Sequence, residues 1–103
     1  MSKNNLIIIT TTLNEEEEIF LHIDYLNELA DKYGIKYVII DGGSKDKTLQ
    51  IIESKDILGN IFKSTKCSIY KAWNIGIDYA SNNTYICFLG VGDRLSELYI
   101  EGL

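Results

Sequence analysis

The chain has 103 residues, of which 46% are apolar and 24% charged, with no proline and two cysteines. This composition excludes disordered and collagen-like chains, and the length predicts a single domain spanning residues 1–103. A formal net charge of −5 argues against a nucleic-acid groove. The longest aliphatic run near the start is too short to span a membrane, and two cysteines make no disulfide framework, which favours a cytoplasmic protein.

The first third of the chain predicts a strand followed by a helix. Leu6 to Thr10 is a continuous run typical of a strand buried on both faces, and Thr11 and Thr12 continue it. Asn14 and Glu17 fit a capping box, which predicts that the helix begins there. Apolar residues then recur at helical spacing, at Ile19, Ile23, Leu26, Ala30 and Tyr33, widened by Phe20 and Leu29. Gly34 is the natural end of this helix.

The pattern repeats along the rest of the chain. Tyr37 to Asp41 predicts a second buried strand, and Ser44 is expected to cap a short helix after it. Ile61 to Lys63 predicts a short third strand. A third helix face is predicted from Ile69, Ala72, Trp73, Gly76, Ile77 and Ala80. Tyr85 to Leu89 predicts a fourth strand that is apolar on both faces, a pattern typical of strands inside a sheet.

This alternation of strands and helices predicts the fold class. Parallel strands joined by right-handed helical crossovers form an α/β protein, here a three-layer αβα sandwich with a mainly parallel sheet. In such sheets ligands bind at the carboxyl ends of the strands. Thr11, Thr12, Asp41 and Asp93 follow predicted strands and are expected at that edge. The carboxylates of the two aspartates suit Mg²⁺ or Mn²⁺. The alternative is that these aspartates, which lie beside glycines, only begin turns.

The glycine-rich dinucleotide-binding motif does not fit the chain. The first strand is not followed by G-x-G-x-x-G, and Glu15 to Glu18 would repel a phosphate from the next helix. The charge of a diphosphate would therefore be met by a metal on Asp93, by Lys66 or Lys71, or by both. The alternative is that the basic segment containing these two lysines is an ordinary solvated loop. His22 has no Ser or Cys near it in sequence, which favours a structural role.

Four blocks of the sequence, taken together in their order and spacing, resemble family 2 glycosyltransferases of the GT-A fold, bacterial polysaccharide-synthesis enzymes above all. The blocks are IIITTTLNEEEEI, YVIIDGGSKDKTLQIIE, IYKAWNIGIDYA and YICFLGVGDRL. The resemblance covers nearly the whole chain, from Leu6 to Leu95.

The resemblance implies a donor, a cofactor and site residues. The donor is a nucleotide-diphosphate sugar, often a UDP-sugar, bound with Mn²⁺ or Mg²⁺. Thr11 and Leu13 fall where the family contacts the nucleobase, and Asp41 matches the aspartate that recognises the base or ribose. Asp93 matches the last aspartate of the D-x-D metal motif. The resemblance implies a catalytic base further along the chain, so we expect it beyond Leu103 and assign no catalytic residue here.

The chain departs from the family pattern at several positions. Leu13 replaces a common Tyr, Val91 replaces the first acidic position of the metal motif, and Lys66, Ser68 and Lys71 change the third block. These changes support an alternative, a non-catalytic module that binds a nucleotide weakly or assembles with a partner. The family's topology places further strands beyond the fourth, and these are missing here. The apolar edge of the fourth strand is therefore expected to be uncovered and to pair with a second copy or with a missing carboxyl-terminal half.

Overall fold

The structure is a computed structural model that describes residues 6–56, 60–63, 69–79 and 85–96. It contains the alternating elements that the sequence predicts. In chain order they are β1 (Leu6–Thr12), α1 (Ile19–Tyr33), β2 (Lys36–Asp41), α2 (Thr48–Ser54), β3 (Asn60–Lys63), α3 (Ile69–Tyr79) and β4 (Tyr85–Phe88).

The four strands form one parallel sheet in the order β3-β2-β1-β4. Thr12 lies beside Asp41 in the β1–β2 register, and Ile9 lies beside Phe88 in the β1–β4 register. Because every strand runs the same way, all four carboxyl ends lie at one edge. The chain moves outward from β1 to β3 and then returns to the far side of β1, so the strand order reverses between β1 and β4. This reversal is where open α/β sheets bind ligands.

Helices cover both faces of the sheet, as the sandwich prediction requires. On one face, α1 and α2 pack on a cluster of buried residues that includes Ile8, Ile23 and Ile52. On the other face, α3 contacts β1 and β2 over Ile9 and Ile40. These buried residues come from the continuous apolar runs of β1 and β2. Such runs are expected because helices cover both faces of the two central strands.

A glycine of α3 allows the helix to lie close to the sheet. A β-carbon built on Gly76 would lie 2.8 Å from Cγ2 of Ile9 and 3.2 Å from Cδ1 of Ile40. The predicted inward face of α3 is confirmed at Ala72 and Gly76, which are buried, but it is wrong at Ile77, which is exposed.

The predicted carboxyl end of α1 is confirmed, but its predicted apolar stripe is wrong at Phe20. Gly34 has a left-handed backbone with φ of 69°, and its N–H donates to the Ala30 carbonyl, so the glycine ends the helix as predicted. Phe20 does not widen the apolar stripe. It is half exposed, and the Lys55 ammonium lies 3.3 Å from its ring centroid while also pairing with Asp24. A cation over the ring stabilises Phe20 at the surface.

Both predicted helix starts are wrong. The first helix begins at Ile19, and Asn14 instead has a φ of 54° and accepts a hydrogen bond from Lys45. The second begins at Thr48, and Ser44 does not cap it, because the Ser44 hydroxyl donates to Asp41 and accepts from the Asn14 N–H. Short polar side chains bond whichever backbone group is within reach, and here the partners belong to another loop.

The expectation that β4 is an uncovered apolar edge strand is confirmed for the part of the chain that the structure describes. There β4 is an edge strand, paired with β1 alone, and it ends at Phe88. Tyr85, Ile86 and Phe88 are exposed, while Cys87 is half-buried. An apolar edge strand is therefore present.

Candidate functional site

The loops that follow β1 and β2 are joined by hydrogen bonds at the carboxyl edge of the sheet. The Asn14 N–H donates to Ser44 Oγ at 2.9 Å, and the Lys45 N–H donates to Asn14 Oδ1 at 2.8 Å. The Glu15 N–H donates to Thr48 Oγ1 at 2.7 Å. Residues 12–16 and 41–48, called the β1–β2 corner below, thus form one connected unit.

Asp46 extends the connection between the two loops. Its carboxylate accepts from the Glu16 N–H at 3.2 Å and from both the N–H and the hydroxyl of Thr48. These hydrogen bonds hold the pKa of Asp46 below its usual value, although its partial burial acts in the opposite direction. The acidic loop before α1 is therefore fixed to the start of α2.

Asp41 is the buried centre of this corner. One carboxylate oxygen accepts from the hydroxyls of Thr12 and Ser44, at 2.8 and 2.6 Å, and the other accepts from the N–H groups of Gly43 and Ser44. Burial raises the pKa of this carboxyl, but the hydrogen bonds outweigh burial, so the pKa lies below its ordinary value. A carboxylate has about four acceptor positions. Those of Asp41 are filled by the chain itself.

The other predicted nucleotide contacts lie at the same edge of the sheet. Thr11 is half-buried and Leu13 is 56% exposed, just beyond the end of β1. Thr11 alternates with Ile7 and Ile9, which places it on the α3 face of the sheet. Lys71 lies in the first turn of α3 and is exposed, near the carboxyl edge because α3 starts there. Lys66 lies outside the described residues.

A tight turn after β4 carries Asp93. The Asp93 N–H donates to the Gly90 carbonyl at 3.0 Å, which closes a turn over residues 90–93, called the β4 turn below. Gly92 has a φ of 89°, a conformation that side chains other than glycine rarely adopt. The Asp93 carboxylate folds back over Gly90, where a β-carbon would lie 2.9 Å from its Oδ2. Asp93 itself is exposed.

His22 connects α1 to this turn. Its Nδ1 is 3.2 Å from the Gly92 N–H, and its Nε2 is 3.0 Å from Thr10 Oγ1, which in turn donates to the Leu89 carbonyl. Burial lowers the pKa of His22 to about 4, while Asp93 raises it and Arg94 lowers it further. The ring is therefore neutral at pH 7, and its predicted structural role is consistent with these contacts.

A cavity of about 200 Å³ lies between the start of α1 and the β4 turn. It is lined by Glu18, Leu21, His22, Tyr25, Gly92, Asp93 and Arg94. The Arg94 guanidinium lies 4.5 Å from the Tyr25 ring centroid, and the Tyr25 hydroxyl accepts from the Leu95 N–H at 2.8 Å. The cavity opens where the strand order reverses between β1 and β4.

Asp41 and Asp93 occupy separate positions at the edge of the sheet. Asp41 bonds within the β1–β2 corner, whereas Asp93 follows β4, and β1 lies between their strands. Two strand spacings are about 10 Å. Within the described residues no group of three or more His, Cys, Asp or Glu side chains could hold a metal ion. Asp93 alone fits Mg²⁺ or Mn²⁺ of the kind that takes one or two carboxylates and completes its shell with substrate phosphates and water.

The residues that organise this edge differ in how far local sequence indicates their roles. Asp46 and Thr48 form a local Asp-x-Thr turn, which a search for short polar pairs could have found. The roles of Asn14 and Ser44 depend on partners about 30 residues away. His22 bonds groups 12 and 70 residues away, so no local pattern indicates its role.

Comparison with known proteins gives one match. A model of glycosyl transferase family 2 matches residues 7–102. Searches of curated proteins and of solved structures found no match. Among the described residues, no helix combines the length and apolar character that crossing a membrane requires. Since the family model covers nearly all of the sequence, the chain belongs to glycosyl transferase family 2.

Proposed function

We propose that the chain binds a nucleotide-diphosphate sugar with Mn²⁺ or Mg²⁺ at the carboxyl edge of its sheet, as the donor-binding domain for glycosyl transfer. The observation that carries this proposal is the β4 turn, which presents the exposed Asp93 carboxylate at the reversal of strand order. Membership of the family supports the transfer reaction. We place the reaction in bacterial cell-surface polysaccharide synthesis in the cytoplasm, with a UDP-sugar as the donor.

The nucleoside end of the donor is assigned to the β1–β2 corner. Thr11 and Leu13 would contact the base, and Asp41 would recognise the base or the ribose. Because Ser44 and Thr12 already donate to the Asp41 carboxylate, a new donor from the nucleoside has to displace one of these hydroxyls. The Ser44 hydroxyl is suited to this exchange, since it can rotate while still accepting from the Asn14 N–H.

The diphosphate end is assigned to the metal on Asp93 and to Lys66 and Lys71. Four glutamates precede α1, so that helix start repels a phosphate rather than attracting one. When bound, the metal would neutralise the charge that develops on the leaving diphosphate. The nucleoside contacts and the metal ligand lie on different strands, as an extended nucleoside diphosphate requires.

A second candidate is a non-catalytic module in the same fold. It is favoured by Val91, which stands in the β4 turn where the family has its first metal-motif acid, leaving Asp93 as the carboxylate there. Such a module would bind nucleotide weakly or act by assembly.

We also propose that the chain associates with a second copy through β4. Ile86 and Phe88 are exposed on this edge strand, and the half-buried Trp73 packs against Phe88 at 5.3 Å between ring centroids. Pairing of two β4 edges would cover these side chains and satisfy the backbone. Sedimentation at high concentration should give a dimer that Phe88→Lys disperses and Leu21→Lys, an exposed change on α1, does not. A monomer at every concentration would contradict this association.

Calorimetry tests the donor-binding proposal. The chain is titrated with UDP and with GDP, each with and without Mn²⁺. We expect binding of UDP that requires Mn²⁺, that is lost in Asp93→Ala and that is retained in Asp78→Ala, an exposed acid on α3. Absence of binding by either nucleotide would contradict the proposal and favour the non-catalytic module.

A further inference from the structure

The His22 side chain is buried between three separate segments of the chain. It is 2% exposed, it projects from the first turn of α1, and its ring contacts the end of β1 and the β4 turn. A buried polar ring normally finds partners for its two nitrogens. Here the partners belong to the segments that form the reversal of strand order.

The donors and acceptors around the ring determine where its proton lies. The Gly92 N–H can only donate, so Nδ1 must accept. The Thr10 hydroxyl donates its hydrogen to the Leu89 carbonyl at 2.9 Å, so Oγ1 is free to accept from Nε2–H. One neutral tautomer therefore satisfies the chain of bonds, and the ring acts as an acceptor towards the turn and as a donor towards β1.

The ring joins the β4 turn to α1 by a hydrogen bond, and Val91 of the same turn packs against the buried cluster beneath α1. The bond from Asp93 to Gly90 lies within the turn, so it sets the shape of the turn but not its direction. The bond between Gly92 and Nδ1 joins the turn to α1, one residue before Asp93. Rotation of the turn would break this bond and leave a buried ring nitrogen without a partner, which is unfavourable.

We propose that His22 is a positioning residue that fixes the β4 turn so that the Asp93 carboxylate faces the metal and diphosphate of the donor. This rests on the proposed function, in which Asp93 binds the metal. His22 does not touch the donor; it acts through the Gly92 N–H. Substitution of a residue that orients a metal ligand without contacting the metal typically lowers metal affinity about 10–100-fold.

Two substitutions separate the ring's two hydrogen bonds. In His22→Asn the side-chain oxygen can take the place of Nδ1 and accept from Gly92, but the bond to Thr10 is lost. In His22→Gln the amide can take the place of Nε2 and donate to Thr10, but the acceptor for Gly92 is lost. Affinity for Mn²⁺ in the presence of UDP is measured by electron paramagnetic resonance, and exchange of the Gly92 amide hydrogen is measured without metal.

We expect His22→Asn to keep Mn²⁺ affinity near that of the parent chain and His22→Gln to weaken it about 10-fold or more, with faster Gly92 exchange. Equal Mn²⁺ affinity and equal Gly92 exchange in the two variants would overturn the inference. Asp93→Ala serves as the reference for the proposed function. If that change leaves Mn²⁺ affinity intact, the proposed metal site fails, whereas loss in Asp93→Ala with no difference between the His22 variants means that only the positioning role fails.

A second pair acts on the other side of the ring and remains informative if a His22 variant does not fold. Thr10→Ser keeps the hydroxyl that accepts from Nε2, and Thr10→Val removes it at similar volume. We expect faster Gly92 exchange and weaker Mn²⁺ binding in Thr10→Val than in Thr10→Ser, because a ring whose Nε2–H has no acceptor can adopt the other tautomer, in which Nδ1 no longer accepts from Gly92. Identical behaviour of these two variants would contradict the role assigned to the ring.

Discussion

The β1–β2 corner and the β4 turn lie at the same edge of one sheet but are stabilised in different ways. The corner is held by many short side chains that bond backbone groups of the facing loop, with the buried Asp41 carboxylate at its centre. The turn is held by the packing of Val91 on the core, by one hydrogen bond to the His22 ring and, further along, by Tyr25. The corner is therefore expected to keep its shape under most single changes, while the direction of the turn depends on few contacts.

Removal of the Asp41 carboxylate is the most damaging change expected in the corner. Asp41→Ala leaves the N–H groups of Gly43 and Ser44 and the Thr12 hydroxyl without their acceptor. The free energy of unfolding should fall by about 3–5 kcal/mol, as for other losses of a buried hydrogen-bonded charge.

Urea unfolding measures this effect, with Asp31→Ala as a control because that acid is exposed on α1. The control should change the free energy of unfolding by less than about 0.5 kcal/mol. If Asp41→Ala were no more damaging than the control, the corner would not depend on this carboxylate.

Acid should destabilise the protein through His22. Its pKa is about 4 in the folded chain, below the ordinary histidine value of 6.5 that applies to the unfolded chain, so the unfolded chain binds the proton more readily. This contribution is complete above pH 6.5 and is lost progressively towards pH 4, to a total of about 3 kcal/mol. Glu18, Asp93 and Arg94 are the charged side chains that share the cavity with the ring.

The test compares the pH dependence of urea unfolding in the parent chain and in His22→Asn, which has no titrating ring. The difference in free energy of unfolding between the two proteins should shrink as the pH falls from 6.5 to 5. Parallel pH curves would show that the ring is not held in its neutral form.

Substitution of Gly92 is expected to lower the free energy of unfolding by a smaller amount. Gly92→Ala places a side chain at a φ of 89° and a β-carbon 3.1 Å from the Glu18 carboxylate. The free energy of unfolding should fall by about 1–2 kcal/mol, the usual cost of a left-handed conformation.

Gly90→Ala is the matched change in the same turn. There the new β-carbon meets the movable end of the Asp93 side chain, so we expect a smaller loss of stability and a displaced carboxylate. A stability loss in Gly90→Ala as large as that in Gly92→Ala would contradict this distinction. Thermal unfolding followed by circular dichroism measures both.

The sequence predicted the elements whose signals are local. The continuous apolar run of β1 and the glycine at the end of α1 identify their structures directly, because side-chain period and backbone conformation depend on neighbouring residues. The parallel sandwich follows from the order of such elements. The carboxyl edge was predictable for the same reason.

The parts that the sequence did not predict depend on distant partners. The sequence predicts Asn14 and Ser44 as helix caps, yet their side chains form hydrogen bonds between two loops some 30 residues apart. The sequence predicts Phe20 in the apolar stripe of α1, but its ring lies at the surface under the Lys55 ammonium. The contacts of His22 with Thr10 and Gly92 exist only after the sheet has formed.

In the proposed function, the metal and the diphosphate bind where β1 and β4 meet, with Asp93 as the metal ligand. Broadening of amide resonances by Mn²⁺ in the presence of UDP tests it most directly. We expect the strongest broadening at residues 90–94, and much weaker broadening at Lys36, which begins β2 at the opposite edge of the sheet. The pattern should disappear in Asp93→Ala. Broadening centred away from the β4 turn, or unchanged by Asp93→Ala, would contradict the account.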